Sequence, residues 1–271
     1  VSTLVAAARG RITGTREARL SDLRRFWLRS APAALYRVRW WTVGVMVAEI
    51  ALTAIIALWT LRSPEAMSAV GTPQERDAYA RSMFESYYSR YEPSEFAAQV
   101  WTNNARIAAV CVASGITGVL PAYVLFANAL GVGRAAAVMA DHGALDLFFA
   151  LITPHGLLEL TCIFIAGGAG LRLFWTLLVP GPRSRGTALA AEGRALITVA
   201  VALTAALAVA GFIEAFVTPA RMPWSIKLVV GVLAVTVLWV YTLMLGGRAA
   251  SVGRTGDLTE DEAGVVLAEA G

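Results

Sequence analysis

The chain has 271 residues, of which 57% are hydrophobic and 15% charged, and its mean hydropathy is +0.62. Soluble globular domains are about 45–50% apolar and about 25% charged, so this composition excludes an ordinary soluble domain. The apolar residues collect in blocks of roughly 20, the length that an α-helix needs to cross a bilayer. We therefore predict an all-α fold, a polytopic transmembrane helical bundle with the lipid bilayer as its surroundings.

The N-terminal residues 1–39 are rich in arginine and lead directly into the first apolar block. We predict that they form a basic arm, cytoplasmic or interfacial, facing anionic headgroups, and we expect no nucleic-acid partner. Leu20, Leu23 and Trp27 share one helical face, which favours an amphipathic helix on the membrane surface over a solvated helix packed on a further segment. The mixed, basic first residues do not resemble a cleavable signal peptide.

The transmembrane domain is predicted to cover residues 40–248, with a polar C-terminal tail at 249–271. Tryptophans flank the first span as interfacial anchors, and Glu49 lies near its middle. We predict about five spanning helices, at 41–61, 104–130, 155–179, 195–217 and 224–245.

The long polar stretch 62–102 lies between the first two spans. It combines acidic and basic residues with aromatic side chains near helical spacing, which predicts an amphipathic outer segment. The basic N-terminal arm places this segment on the non-cytoplasmic side. Its tyrosines Tyr87, Tyr88 and Tyr91 are candidate partner-binding residues.

Residues 135–154 are too polar and too short for a comfortable crossing, so we predict a re-entrant or interfacial pair of half-helices there. The region contains Asp141, His142 and Asp146, for which a solvated half-helix surface is favoured over a ligand cluster. Five simple crossings would leave the arginines at 183–194 outside. If the 141–179 region enters and returns on one side, or crosses as a strained pair of helices, these arginines lie inside. We therefore expect both termini to be cytoplasmic.

His155 and Glu159 are four residues apart, so they lie on one face of a helix. A charge in hydrocarbon costs at least roughly 2.5–3.5 kcal/mol, so these groups should face other helices or a wet cavity. The other members of this predicted intramembrane polar network are Glu49, Glu214, Asn103, Asn104, Asn128 and Arg172.

Four roles are open for the His155–Glu159 pair. We favour a structural network that fixes helix register over a proton or ion pathway. HxxxE also supplies two metal ligands, but no further His or Cys stands at a matching spacing. An intramembrane hydrolase is disfavoured, because neither HExxH nor a serine–histidine arrangement is present. We therefore predict no catalytic residue, no metal and no cofactor.

Six stretches occur in an order that resembles the stage II sporulation protein M family of bacterial integral membrane proteins, over roughly residues 40–248. The matching positions include Asn103, Asn104, Asn128, His142, His155, Gly156, Glu159 and Glu214. The stretches are WTNNARIAAV at 101–110, NALGVGR at 128–134, HGALDLFFALITPHGLLEL at 142–160, IAGGAGLRL at 165–173, PGPRSR at 180–185 and IEAFVTP at 213–219.

This resemblance implies a multi-pass protein of the bacterial inner (cytoplasmic) membrane that organises rather than catalyses. In sporulating relatives it implies an assembly with peptidoglycan-degrading proteins. Some other relatives are encoded near MoxR-type ATPases, which makes such an ATPase a candidate partner. We expect a homodimeric scaffold that recruits envelope or cytoplasmic partners. The alternative is a transporter or channel with broken helices around Pro121 and Pro154, in which His155 and Glu159 act as gate or relay. An enzyme ranks third and would need a substrate-sized cavity around His155.

Overall fold

The computed structural model describes residues 20–83 and 93–257, and every regular element in those two ranges is helical. The prediction of an all-α membrane bundle is confirmed. The predicted partner-binding residues Tyr87, Tyr88 and Tyr91 lie outside the described residues. The helices are α1 (Leu20–Arg62), α2 (Pro64–Ser68), α3 (Pro73–Ala78, continued by a π-helical turn to Met83), α4 (Pro93–Ala113), α5 (Val119–Asp141), α6 (Leu145–Leu178), α7 (Arg185–Val217) and α8 (Trp224–Ser251).

Five of the described helices, α1, α5, α6, α7 and α8, are long and apolar enough to cross a membrane. The 21-residue helix α4 runs beside them. Its Trp101 indole donates to the Thr204 carbonyl of α7 at 3.0 Å, and its Cys111 carbonyl lies against Gly170 of α6. Six described helices therefore run along the bundle.

The direction of each helix follows from its contacts with α6, the central helix, in which residues 161–170 are all buried. Arg172 of α6 bonds to Arg37 of α1, while Val45, further along α1, packs on the earlier residues Ile163 and Phe164. Helices α1 and α6 are therefore antiparallel. Six alternating passes bring the start of α1, the turn at 179–184 and the residues after α8 to the same end of the bundle.

We call this end the charged end, since it contains Arg37, Arg172, Glu192, Arg194 and Asp257. The opposite end holds α2, where Met67 packs against Val138 near the end of α5.

The predicted span 104–130 is two helices rather than one. Helix α4 ends at Ala113, a 3₁₀ turn covers Gly115–Thr117, and α5 begins at Val119 after Gly118, whose φ is +66°. This left-handed conformation favours glycine, and Gly115 also packs against the backbone of Gly170. Hydropathy does not reveal this turn, because the residues on both sides of it are apolar.

The predicted re-entrant region 135–154 and the third span 155–179 also differ from the structure. Helix α5 continues to Asp141, and α6 is one helix of 34 residues that passes through Pro154. Proline is tolerated inside a membrane helix when neighbouring helices cover the backbone that it frees. Beside this proline, Gly231 of α8 packs on the Thr153 and Pro154 carbonyls, so closely that a Cβ at that position would lie 2.7 Å from them.

The described part of the N-terminal arm, residues 20–39, forms the start of α1 and packs on α8. The Tyr241 hydroxyl donates to the Trp27 carbonyl at 2.5 Å, and Gly246 lies against the Pro32 carbonyl. Trp27 contacts the core, whereas Leu20 and Leu23 are 86% and 57% exposed. The three residues predicted to share a surface face are therefore split between the core and the exterior.

Candidate functional site

A histidine and two glutamates meet in the interior of the bundle. His155 and Glu159 come from α6, one turn apart, and Glu214 comes from the end of α7. One ligand atom of each residue lies within 4.8 Å of the others, and His155 Nε2 is 3.7 Å from Glu214 Oε1. His155 and Glu214 are only 6% and 5% exposed. We call this group the His–Glu–Glu cluster.

Local irregularity in α7 positions the third member of the cluster. Residues Ile213–Val217 form a π-helical turn. Such turns are rare in proteins overall, but those that occur are often found at functional sites. Thr218 follows this turn, and its hydroxyl lies 3.2 Å from His155 Nδ1. Lys227 of α8 donates to the Thr218 carbonyl at 2.5 Å, so the polar contacts extend from α6 through α7 to α8.

The carboxyl groups of the cluster have few polar neighbours. The side-chain amide of Asn104 on α4 faces the Glu159 carboxyl. Glu214 Oε2 is buried and has no hydrogen-bond partner in the described structure. Among the ion pairs that the described ranges contain, none joins Glu159 or Glu214 to a lysine or arginine. The cluster therefore offers several electron-pair donors to one small volume.

A second polar site is formed by Glu49 of α1, with the Asn128 side chain of α5 as its neighbour. Glu49 is 4% exposed, and its Oε2 atom is buried without a hydrogen-bond partner. It lines a groove of about 530 Å³ between α1, α5 and α6. The exposed residues Ile50 and Leu58 also line this groove, so it opens on the outer surface of the bundle. We call it the Glu49 groove.

The third polar site lies at the charged end. Arg172 Nε donates to Glu192 Oε1 at 2.7 Å, and Arg37 Nη2 donates to Glu192 Oε2 at 2.5 Å. Arg172 was predicted from the sequence as a member of a polar network, whereas Arg37 and Glu192 were not. The sequence signal that could have identified Glu192 is its position as the one acidic residue in the apolar run ALAAEGRALI. In the structure Glu192 is 3% exposed. Arg172 belongs to this site rather than to the surroundings of His155.

The remaining predicted residues do not join these sites. Asn103 is exposed. Asp141 and Asp146 are exposed near the turn between α5 and α6, and the half-buried His142 has its Nδ1 atom 2.8 Å from the Val138 carbonyl. Within the described ranges, the His–Glu–Glu cluster is the one group of three or more side chains that could hold a metal ion.

This fold and these sites define a polytopic α-helical membrane protein with buried carboxyl groups inside its bundle. The family model described as Stage II sporulation protein M matches residues 42–219, a range that contains the His–Glu–Glu cluster and the Glu49 groove. The chain belongs to the stage II sporulation protein M family. A search of curated proteins and a search of solved structures found no match.

Proposed function

We propose that this protein is a non-enzymatic scaffold of the bacterial inner (cytoplasmic) membrane that organises a cell-envelope assembly by docking a transmembrane helix of a partner protein. Family membership supports the membrane setting. The observation that carries the docking role is the Glu49 groove, which opens on the outer surface of the bundle and has in its wall a buried carboxyl oxygen without a hydrogen-bond partner.

The walls of the Glu49 groove suit a helix as the occupant. They include small side chains from two helices, Ala54 and Ala57 of α1 and Ala136 and Ala140 of α5. Small side chains let helix backbones approach closely in membranes, where packing rather than the hydrophobic effect drives association.

Glu49 specifies what the docked helix must present. A buried acceptor left without a hydrogen bond costs about 1–3 kcal/mol. A lipid acyl chain has no donor, whereas a partner helix with Ser, Thr, Asn or Gln opposite Glu49 supplies one. The proposed occupant is therefore a transmembrane helix with a hydrogen-bond donor near its middle.

The charge distribution supports an orientation for this scaffold. Basic residues collect at the charged end and in the segments that lead from it, which by the positive-inside rule is the cytoplasmic side. Both termini then face the cytoplasm, where an ATPase of the MoxR type can reach them. Residues 62–83 then face the envelope and its peptidoglycan-processing proteins. The arginines that favour this orientation are Arg183, Arg185, Arg194, Arg248 and Arg254.

Site-specific photocrosslinking from the groove tests the docking role. A photoreactive residue is placed at Ala54 or at Ala136 in the full chain in its native membrane, and at exposed Ala122 of α5 as the control. We expect both groove positions to crosslink to the same transmembrane segment of one membrane protein. Peptide mapping should locate a Ser, Thr, Asn or Gln near the crosslinked residue.

Two substitutions make this test specific to the groove. Ala140→Trp fills the groove and Glu49→Leu removes the acceptor, so both should abolish the crosslink, while Ala122→Trp should leave it intact. Crosslinks to lipid alone, or crosslinks that survive both groove substitutions, would refute the docking role. Crosslinks between two copies of this chain would also refute it and would assign the groove to a homodimer.

A transporter or channel is the second candidate, favoured by the His–Glu–Glu cluster in the bundle interior. Ionisable groups within membrane bundles mark ion and proton pathways in many proteins. Proteoliposomes with a pH-sensitive dye inside and an imposed proton gradient test this candidate. Transport requires flux that Glu159→Gln abolishes and Asp141→Asn preserves, and an absence of flux above empty liposomes excludes proton transport.

A further inference from the structure

The His–Glu–Glu cluster combines the ligand types that divalent transition metals prefer. Imidazole nitrogen suits zinc, copper, iron and nickel, and carboxylate oxygen completes many of their sites. His155 and Glu159 are one turn apart on α6, and Glu214 approaches them from α7. The spacing of residues along one helix predicts only two of these ligands, because the third belongs to a different helix.

The distances fit an ion at the centre of the cluster. Zinc lies about 2.0–2.2 Å from nitrogen and oxygen ligands, which places two ligands of a tetrahedral site roughly 3.4 Å apart. His155 Nε2 and Glu214 Oε1 are 3.7 Å apart, and no pair among the three ligand atoms exceeds 4.8 Å. Small rotations of the two glutamate side chains close the remaining gap.

Charge balance favours a divalent ion in this place. Two carboxylates and one M²⁺ ion form a neutral unit with a neutral imidazole, whereas uncompensated carboxylates in the interior carry a large desolvation penalty. Lys227, the nearest described cation on α8, donates to the Thr218 carbonyl rather than to either carboxylate. Glu214 Oε2, in a side chain that is 5% exposed, has no hydrogen-bond partner in the described structure and is available to an ion.

The surroundings of His155 resemble an outer shell of a metal site. Metal-binding histidines generally use their other ring nitrogen for a hydrogen bond that fixes the orientation of the ring. The Nδ1 atom of His155 lies 3.2 Å from the Thr218 hydroxyl, which itself donates to the Ile213 carbonyl at 3.4 Å. This arrangement points Nε2 toward Glu214. The π-helical turn Ile213–Val217 holds both Glu214 and the acceptor of Thr218 in place.

We infer that His155, Glu159 and Glu214 bind one divalent transition-metal ion of the zinc type, which fastens the middle of α6 to the end of α7. The side-chain amide of Asn104 donates to the Glu159 carboxyl and helps to orient this ligand. The inference goes beyond the proposed scaffold, because it concerns a different site from the Glu49 groove.

Metal binding by the purified full chain tests the inference. Protein without an affinity tag is stripped with a chelator in detergent and titrated with Zn²⁺, and bound zinc is counted by mass spectrometry after gel filtration. We expect one zinc per chain and a rise in the thermal unfolding midpoint on zinc addition, because an ion that binds only the folded state stabilises it. Losing an outer-shell partner alone weakens metal sites roughly 10–100-fold, so Glu159→Gln and Glu214→Gln should each weaken binding at least that much.

Matched variants separate this site from others. Glu49→Gln alters a buried carboxyl of the groove, and Cys162→Ser removes a buried thiol near Glu159. Both variant proteins should retain one zinc per chain. The Thr218→Val variant keeps all three ligands but loses the contact to His155, so it should bind zinc more weakly than wild type. Wild-type protein that retains no zinc would overturn the inference, whatever the variants do. Zinc bound equally by folded Glu159→Gln and Glu214→Gln would overturn it as well.

Discussion

The guanidinium of Arg172 and the carboxylate of Glu192 form an ion pair with a 2.7 Å Nε–Oε1 distance, joining α6 to α7 at the charged end. The other oxygen of Glu192 accepts from Arg37, and the Arg37 carbonyl accepts from Arg172 at 3.1 Å. Three helices therefore meet through one buried carboxylate. Without Glu192, Arg37 and Arg172 would lose the carboxylate that they share.

Glu192→Gln should destabilise the protein by about 3–5 kcal/mol, the cost of removing one partner from a buried ion pair. Unfolding in detergent, followed by circular dichroism against denaturant, measures this loss. The control is Asp257→Asn, which breaks the pair with Arg194, whose side chain is 44% exposed. An exposed pair contributes about 0–1 kcal/mol, so equal losses in the two variants would contradict the central role of Glu192.

Gly170→Ala should separate α4 from α6. The added Cβ would collide with the Cys111 carbonyl oxygen and lie 3.2 Å from Pro121, two positions fixed by backbone and ring. Overpacking of this kind costs about 1–3 kcal/mol. Gly44→Ala, on an exposed face of α1 with nothing within 4 Å, should be neutral or slightly stabilising. A tolerated Gly170→Ala would show that the two helices are not in direct backbone contact.

The six-pass arrangement predicts which turns share a side of the membrane. Cysteine introduced at Asp141 or Arg221 should react with a membrane-impermeant maleimide in intact cells, whereas cysteine at Arg183 should react only after permeabilisation. The natural Cys111 and Cys162 are both 0% exposed and give little background. A re-entrant region at 135–154 would instead place Asp141 and Arg183 on the same side, with matching labelling.

Acid should loosen the start of α3, outside the membrane-spanning helices. The Thr72 backbone N–H and hydroxyl donate to the Glu75 carboxylate and hold its pKa below the ordinary value. A lowered pKa in the folded state means that this stabilisation is present above the ordinary glutamate pKa and is lost as the pH falls through the lowered value.

Hydrogen exchange of residues 73–83, corrected for intrinsic rates, should therefore accelerate in acid. The Glu75→Gln variant should show little of this pH dependence, because glutamine does not titrate. An equal acceleration in wild type and in Glu75→Gln would indicate a different origin.

The sequence predicted the class of fold, because runs of apolar residues long enough to cross a bilayer are visible in composition alone. It did not predict the path between Asn104 and Pro154. The turn at Ser114–Gly118 lies among apolar residues, and Pro154 sits inside a helix that Gly231 of α8 contacts closely at this point. Both features depend on packing against distant helices, which hydropathy does not report.

The candidate site was predictable only in part, because its membership also depends on packing between distant helices. The i, i+4 spacing of His155 and Glu159 placed them on one face, and the cost of charge in lipid turned that face inward. Helix packing decides which other polar residue joins them. It brings Glu214 into the cluster and places Glu49 and Arg172 in two other sites. Glu192 was missed because its two arginine partners are far from it in the chain.

The length of α6 has a mechanical consequence. Its 34 residues span about 51 Å, whereas the hydrocarbon core is about 30 Å thick. At one end its Phe148 packs on Ala80 of α3, and toward the other its Arg172 bonds to Glu192. A push or pull exerted on α3 is therefore passed along one continuous helix, through Pro154, to the far side of the bilayer.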